Sequence, residues 1–167
     1  MIWTPAYVGI GSNLQDPARQ VRTAMAALEQ LPATRLMAVS SLYGTRPFGP
    51  VAQPDFCNAA AALLTTLAAQ EFLAQLLELE RRLGRERRER WGPRIIDLDL
   101  LAFGSLRASE AGLTLPHPGI VQRNFVLYPL AEIAPDMLLP GLGRVALLRD
   151  AVTADDIWSW AEQAEVA

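Results

Sequence analysis

Two aspartates interrupt an apolar run in this chain, and that run limits the possible folds more than any other feature. Residues 95–101 read Ile-Ile-Asp-Leu-Asp-Leu-Leu. Because strand side chains alternate between two faces, Asp97 and Asp99 point to one side and their apolar neighbours to the other. Adjacent carboxylates repel each other and are costly beside a core, and a divalent cation between them removes that cost. The run therefore predicts a strand with helices on its apolar face and a cation on its acidic face; the alternative is a solvated face.

The order of the other patterns predicts the fold. A helix is expected to start after Asp16, a good N-cap followed by Pro17, and a second covers residues 69–83, ended by Gly84. Strands are predicted at residues 6–10, 36–43, 56–67 and 95–103, and a turn is predicted at residues 11–13. The order β-α-β-β-α-β predicts an α+β, ferredoxin-like core, an antiparallel sheet with both helices on one face.

The pattern becomes less regular after Ser105. Residues 121–132 are expected to form a helix or a turn-rich segment. Residues 155–164 are expected to form a helix, with Trp158 packing it back onto the core. We therefore expect a single domain over residues 1–167 with an irregular C-terminal extension.

Composition excludes several kinds of site. Cys57 is the only cysteine and His117 the only histidine, so an internal disulfide and a zinc site built on cysteines or several histidines are excluded. The chain has no lysine, which excludes Schiff-base chemistry and the lysine of a P-loop. A cation held by oxygen ligands, Mg²⁺ or Mn²⁺, is the metal that such a chain favours.

Charge and hydropathy predict a cytoplasmic protein without a nucleic-acid or membrane partner. The net charge is −3 and the isoelectric point is about 5.2, which argues against nucleic-acid binding. No apolar run approaches the roughly 18 residues of a membrane span, and residues 1–5 do not begin a signal peptide.

Arginines are concentrated before the acidic strand. All 15 basic residues are arginines, and those at 81, 82, 85, 87, 88, 90 and 94 are close together. A basic cluster in an acidic chain indicates a specific anionic ligand, and arginines beside a metal site are typical of phosphoryl transfer. Solvated surface charge is the alternative for each arginine. Glu80 is expected either to face the loop at 85–94 and accept from a ligand hydroxyl, or to be an ordinary exposed carboxylate.

Longer motifs resemble a known family, 6-hydroxymethyl-7,8-dihydropterin pyrophosphokinase. The most specific is Arg-Trp-Gly-Pro-Arg-Ile-Ile-Asp-Leu-Asp at residues 90–99. The others are Gly-Ile-Gly-Ser-Asn-Leu at 9–14, Gln-Pro-Asp-Phe-Cys-Asn-Ala at 53–59, Glu-Leu-Glu-Arg-Arg-Leu-Gly-Arg at 78–85, Leu-Pro-His-Pro at 115–118 and Arg-Asn-Phe-Val-Leu-Tyr-Pro-Leu at 123–130. The resemblance implies transfer of pyrophosphate from Mg-ATP to the pterin hydroxymethyl group, giving AMP and the pterin diphosphate in folate biosynthesis.

The resemblance also implies roles for individual residues. Two Mg²⁺ ions would be held by Asp97 and Asp99, and Arg85 and Arg94 would stabilise the phosphates. ATP would be contacted by Glu80, Arg87, Arg94, Leu100, Thr114, His117 and Arg123. The pterin would be contacted by Thr45, Arg46, Phe48, Phe56, Asn58, Trp91 and Phe125, with Phe56 and Phe125 on either side of its ring. The loops at 44–54 and 85–94 would close over the site, and the chain would be a monomer that binds only small molecules.

Two other functions are compatible with a ferredoxin-like fold that carries two aspartates. The first is a nucleotidyltransferase or cyclase that uses the same pair of aspartates for its metals and releases pyrophosphate. The second is a non-catalytic ligand-binding module, in which ATP affinity would not depend on Mg²⁺.

Overall fold

The computed structural model describes residues 1–47, 49–84, 95–110 and 112–160. Its strands are β1 (Thr4–Ser12), β2 (Thr34–Val39), β3 (Tyr43–Thr45), β4 (Phe56–Thr65), β5 (Asp97–Phe103), β6 (Ala108–Glu110), β7 (Leu113–Leu115), β8 (Leu138–Leu139), β9 (Gly143–Arg144) and β10 (Ile157–Ser159). Its α-helices are α1 (Pro17–Leu28), α2 (Ala69–Arg82), α3 (Asn124–Ile133) and α4 (Val145–Asp150), with a 3₁₀ turn at Ile120–Gln122.

The main sheet has six antiparallel strands in the order β10-β3-β4-β1-β5, and β2 also pairs with β4. The chain order through β5 is the predicted β-α-β-β-α-β with its second strand divided in two, and this α+β, ferredoxin-like arrangement confirms the predicted fold. The short hairpins β6–β7 and β8–β9 lie outside this sheet. None of the described helices is long and apolar enough to cross a membrane.

The predicted second strand, residues 36–43, is wrong as one element, because it is divided into β2 and β3. Both strands pair with the same edge of β4. Between them, the hydroxyl of buried Ser40 accepts the backbone N–H of Ala60 at 2.9 Å, in place of a backbone carbonyl. The backbone N–H of Ser41 donates to the Glu132 carboxylate at 2.8 Å instead of to a strand. The side chains therefore interrupt the ladder at this point.

Local signals place both predicted helices. The Asp16 carboxylate accepts the backbone N–H of Arg19 at 3.5 Å, and Pro17 occupies the first turn of α1. Helix α2 buries Phe72, Leu76 and Leu79 on one side. Gly84 follows the helix with φ of 89°, a conformation that glycine adopts without steric cost, and its N–H donates to the Arg81 carbonyl.

One face of the sheet is a continuous apolar layer beneath α1 and α2. Alternate residues of β1 (Ala6, Val8, Ile10), β4 (Cys57, Ala59, Ala61, Leu63) and β5 (Leu98, Leu100) are buried there. The helices add Val21, Leu28, Phe72, Leu76 and Leu79 to the same cluster. This is the apolar face that the sequence predicts.

The opposite face is covered over only part of its area. A second core forms there beneath α3 and α4, built on Ala60, Leu101 and Ala102 of the sheet. The register between β1 and β5 shifts between Tyr7 and Val8, so Leu101 is an extra residue in the ladder. This bulge allows both Leu101 and Ala102 to join the second core. The rest of the face remains open between this core and the outer strands.

Two further predictions about local structure are wrong. The turn predicted at residues 11–13 is not formed at Gly11 and Ser12, because these residues continue β1 by pairing with Asn58 and Cys57 of β4. The helix predicted at residues 155–164 is replaced over Ile157–Ser159 by β10, because β3 offers an unpaired edge. Trp158 does pack this segment back onto the sheet, against Gly44. Residues 161–164 and the predicted loop at 85–94 lie outside the described residues.

Candidate functional site

A pocket lies on the open part of the second face, with a volume of about 110 Å³. Strands β1, β4 and β5 form its floor, β3 forms one wall and the start of α3 forms the other. Its lining residues are Gly9, Ile10, Gly11, Thr45, Arg46, Phe56, Asn58, Ala59, Asp97, Asp99, Arg123, Phe125 and Val126. The pocket therefore brings together two carboxylates, an amide, two arginines and two aromatic rings.

Two glycines of β1 keep the centre of the floor free of side chains. Gly11 pairs with Asn58 on one side and with Asp97 on the other, and Gly9 pairs with Asp99. A Cβ atom on Gly11 would lie only 2.9 Å from Oδ1 of Asn58, so any larger residue there would displace the amide. A glycine inside a strand marks such a close approach. The glycines thus separate the amide of β4 from the carboxylates of β5 by an open strip of backbone.

The acidic strand β5 is held from its outer edge by a buried carboxylate. Glu80, on the last turn of α2, is 2% exposed, and its Oε1 accepts the backbone N–H of Leu98 at 2.6 Å. Leu98 lies between Asp97 and Asp99, and its side chain is in the apolar core. A buried carboxyl group is costly unless its oxygens take part in hydrogen bonds. The bond therefore fixes the backbone that carries both aspartates, and the alternative of an exposed Glu80 is wrong.

Thr45 orients the amide of Asn58. Nδ2 of Asn58 donates to Oγ1 of Thr45 at 2.7 Å, and both residues are buried. The bond joins β4 to β3 beneath the pocket wall. A second amide holds the loop that leads into β4: Nδ2 of buried Asn13 donates to Oε1 of Gln53 and to the carbonyl of Pro54. One amide therefore joins β4 to β3, and the other holds the loop before β4 to the residue that follows β1.

The far wall carries the cation Arg123 and the ring of Phe125, and the His117 imidazole lies behind it, near Arg123, without lining the pocket. The Arg123 guanidinium lies 5.8 Å from the centre of the Phe125 ring. His117 follows the cis Leu115–Pro116 bond, and its backbone N–H donates to the Leu101 carbonyl at 3.0 Å. Burial, and then the charge of Arg123, lower the pKa of His117, which therefore favours the neutral imidazole. Its Nδ1 atom is buried and has no hydrogen-bond partner within the part of the chain that the structure describes.

The donor set fits a hard divalent cation that is shared with a ligand. Asp97 and Asp99 lie on the same face of β5 and both line the pocket. Across the described ranges, no three His, Cys, Asp or Glu side chains form a group that could hold a metal. A cation at the two aspartates would therefore take its other oxygen ligands from water and from bound phosphates, as Mg²⁺ usually does.

Comparison with known proteins identifies the family. Over 134 residues the chain is 50% identical to the 2-amino-4-hydroxy-6-hydroxymethyldihydropteridine pyrophosphokinase of Pseudomonas aeruginosa, covering 80% of this chain and 83% of that protein. It is 43% identical over 135 residues to the same-named protein of Haemophilus influenzae, covering 81% of this chain and 84% of that one. Residues 7–135 match the model of the 7,8-dihydro-6-hydroxymethylpterin-pyrophosphokinase family. The chain belongs to this family.

Membership in the pyrophosphokinase family confirms the resemblance and gives the reaction class. The chain is an ATP-dependent pyrophosphokinase of folate biosynthesis. This decides against the nucleotidyltransferase or cyclase and against the non-catalytic module. The fold is also that of a solved structure of Plasmodium falciparum HPPK-DHPS, wild type with pteroate, with a TM-score of 0.72 at 13% identity over 89% of this chain and 44% of that one.

The pyrophosphokinase pocket collects only some of the predicted site residues. It is lined by Thr45, Arg46, Phe56, Asn58, Asp97, Asp99, Arg123 and Phe125. It is not lined by Glu80, Leu100, Thr114 or His117. Leu100 packs in the apolar core, and Thr114 is exposed on β7. Phe48, Arg85, Arg87, Trp91 and Arg94 lie outside the described residues, and their roles stay predictions.

Five residues that line the pocket were not predicted from the sequence: Gly9, Ile10, Gly11, Ala59 and Val126. For the two glycines the signal was present, because they alternate with Val8 and Ile10, which are buried in the apolar layer on the other face. Glycines at every second position of a strand indicate a face without side chains. The pairing of these glycines with Asn58, Asp97 and Asp99, which places polar groups around the bare strip of backbone, depends on the tertiary structure.

Proposed function

We propose that this pocket binds 7,8-dihydro-6-hydroxymethylpterin beside Mg-ATP, and that the chain transfers pyrophosphate from ATP to the pterin hydroxymethyl oxygen. The observation that carries the proposal is the arrangement across Gly11, where Asn58 lies on one side and Asp97 on the other. A group that binds a heterocycle and a group that binds a cation are therefore held about two strand spacings apart, roughly 10 Å. This is the scale of one bound pterin and its reacting phosphate.

The pterin half of the pocket would be formed by β3, β4 and α3. The Asn58 amide, oriented by Thr45, can both donate to and accept from the edge of a pterin ring. Phe56 and Phe125 line the same pocket and offer aromatic faces for stacking. The glycine floor leaves room for the ring to lie against the backbone. These four side chains would orient the hydroxymethyl group toward β5.

The phosphate half would be formed by β5 and Arg123. Asp97 and Asp99 would hold two Mg²⁺ ions, which when bound neutralise negative charge on the ATP phosphates. Arg123 places a guanidinium on the opposite wall of the pocket, where it would pair with phosphate oxygens. The predicted phosphate contacts of Arg85, Arg87 and Arg94 would add charge from the segment before β5.

The chemical step needs positioning more than covalent help from the protein. The hydroxymethyl oxygen forms a bond to the β-phosphorus of ATP, and the bond from that phosphorus to the α–β bridging oxygen breaks. AMP leaves with the bridging oxygen, the hydroxyl proton is released, and the pterin diphosphate forms. The residues described above hold the two substrates in line for this exchange. The monomeric state and the cytoplasmic location of the chain stay predictions.

The proposal is tested by identifying the nucleotide product. Purified protein is incubated with ATP and Mg²⁺, with and without 7,8-dihydro-6-hydroxymethylpterin, and AMP, ADP and pyrophosphate are separated by chromatography. We expect AMP to form only when the pterin is present, together with one pterin diphosphate per AMP. Formation of ADP or free pyrophosphate, or AMP formation independent of the pterin, would reject the proposed substrate and reaction.

A further inference from the structure

The segment at residues 153–160 contacts both walls of the pocket, although it lies beyond residues 7–135 that match the family model. We call it the C-terminal brace. It includes β10, which forms the outer strand of the sheet next to β3. None of the brace residues lines the pocket. Any effect of the brace on substrates must therefore act through the walls that it contacts.

On one side, the brace fixes β3. Ile157 pairs with Thr45 and Trp158 pairs with Gly44. A Cβ atom on Gly44 would overlap the indole of Trp158, so this ring lies directly on the glycine backbone. The backbone N–H of Trp160 donates to the Leu42 carbonyl at 3.0 Å, just before β3 begins. Strand β3 has only three residues, and β10 doubles its pairing by adding a second hydrogen-bonded edge to that of β4.

On the other side, the brace fixes the start of α3. Nδ2 of Asn124 donates to Oδ1 of Asp156 at 2.6 Å and to the Thr153 carbonyl at 3.1 Å. Asn124 is the first residue of α3 and lies between Arg123 and Phe125, which both line the pocket. No side chain caps this helix at Arg123. The short bond to Asp156 therefore holds the helix end that presents both groups.

We propose that the C-terminal brace is a positioning element for substrate binding, with Trp158 fixing the pterin wall at Thr45 and Asp156 fixing Arg123 and Phe125. The inference rests on the proposed function, which assigns Thr45 and Phe125 to the pterin and Arg123 to ATP. It gives the two brace residues different effects. Loss of Trp158 should weaken pterin binding alone, whereas loss of the Asp156 carboxylate should weaken binding of both substrates.

The test measures the dissociation constants of two ligands by calorimetry in the full chain. The ligands are 6-hydroxymethylpterin and α,β-methylene-ATP with Mg²⁺, which cannot react. We expect Asp156→Ala to weaken both by about 3- to 10-fold, the scale of the net contribution of one ordinary hydrogen bond. We expect Trp158→Ala to weaken pterin binding by a similar factor and to leave nucleotide binding within twofold.

Matched variants separate positioning from general destabilisation. Asp155→Ala removes the same charge from the exposed neighbouring residue, and both ligands should bind as they do to the original chain. Asp156→Asn keeps an oxygen acceptor for Asn124 and should restore most of the affinity. If Asp156→Ala binds both ligands like Asp155→Ala, the brace proposal is rejected, whatever the stability of the variant.

The pocket assignment fails in a different way from the brace. Asn58→Ala removes the amide proposed to contact the pterin and leaves the brace intact. If Asn58→Ala binds the pterin normally, the proposed pterin site is wrong. If Asn58→Ala weakens pterin binding but neither brace variant changes either constant, the site stands and the brace has no positioning role.

Discussion

The two faces of the main sheet use the same strands for different purposes. Along β4, Cys57 points into the apolar layer beneath α1 and α2, and its neighbour Asn58 points into the pocket. Burial raises the pKa of the Cys57 thiol to about 12, so it stays protonated and inert at neutral pH. Asn58 is held by Thr45 and directed to the ligand space. A shift of one residue along a strand therefore separates a packing position from a binding position.

The two faces differ in what their side chains do: one contributes mainly to the stability of the fold, and the other carries the groups of the pocket. The helix-covered face buries side chains of β1, β4 and β5 beneath α1 and α2, while Asp97 and Asp99 lie on the reverse side of β5. The pocket face is closed by α3 and α4 only where Ala60, Leu101 and Ala102 lie. Substitutions on the first face should change unfolding, and substitutions on the second should change ligand binding.

The largest effect should come from breaking the apolar face. Phe72 is fully buried and lies 6.0 Å from the Phe103 ring, measured between ring centroids. Phe72→Ala should lower the free energy of unfolding by about 3–5 kcal/mol, the usual range for removing a buried aromatic ring. Denaturant unfolding measures this loss, with exposed Leu77→Ala on the same helix as the control. A loss below about 1 kcal/mol would show that this face is not the main source of stability.

Glu80 extends from α2, on the helix-covered face, to the β5 backbone that carries the pocket aspartates. Removing its carboxylate should have an effect of intermediate size on the free energy of unfolding. Glu80→Leu leaves the Leu98 N–H without its carboxylate acceptor, which should cost about 1–3 kcal/mol of unfolding free energy. Glu80→Gln keeps an oxygen for that N–H and should lose less. Thermal or denaturant unfolding of the Glu80→Leu and Glu80→Gln variants measures these losses. Equal stability of Glu80→Leu and the original chain would mean that the bond does not hold β5.

Gly11 tests the pocket face without changing charge. Gly11→Ala places a methyl group 2.9 Å from Oδ1 of Asn58, so the amide must move. Since overpacking costs about 1–3 kcal/mol, the dissociation constant of the pterin should rise about tenfold or more. Leu77→Ala is the control, because Leu77 is exposed on α2 and does not line the pocket. Similar pterin affinity in the two variants would contradict the role of Gly11.

The smallest effect should be the pH dependence that His117 adds to stability. Its pKa is lowered from the usual 6.5, so the unfolded chain binds a proton more readily than the folded chain. The His117 contribution is therefore complete above pH 6.5 and is lost as the pH falls through the lowered pKa, with a slope below about 1.4 kcal/mol per pH unit. Denaturant unfolding between pH 7.5 and 5 should show a smaller decline for His117→Asn. A steeper decline in that variant would mean that protonation of His117 stabilises the folded chain, which is the opposite of this prediction.

Much of the fold and part of the site follow from local sequence. The strands at β1, β4 and β5, both helices and the opposite faces of Asp97 and Leu98 depend on periodicity and end signals close in sequence, and they are confirmed. The division of residues 36–43 is not local, since it depends on Ser40 meeting Ala60. The same holds for β10, since the edge of β3 replaces the helical pattern of the tail.

The site residues show the same division. Asp97 and Asp99 are visible in the sequence because two carboxylates in an apolar strand are unusual. Glu80 reads as an exposed helix carboxylate until β5 is placed against α2. Gly11 gains its meaning only from the cross-strand pairing with Asn58. Residues that act by pairing across strands could not be recognised from periodicity alone.

The most direct test of the account is the turnover of Asp97→Asn at saturating Mg²⁺ and both substrates, measured as AMP formation beside the unfolding free energy of the same sample. The account predicts that pterin-dependent AMP formation falls by about three orders of magnitude or more, the scale of losing a group that serves the transition state. The free energy of unfolding should change by less than about 1 kcal/mol, because Asn has the size of Asp and the core on the other face of β5 is untouched. Turnover close to that of the original chain would contradict the assignment of the acidic face to catalysis.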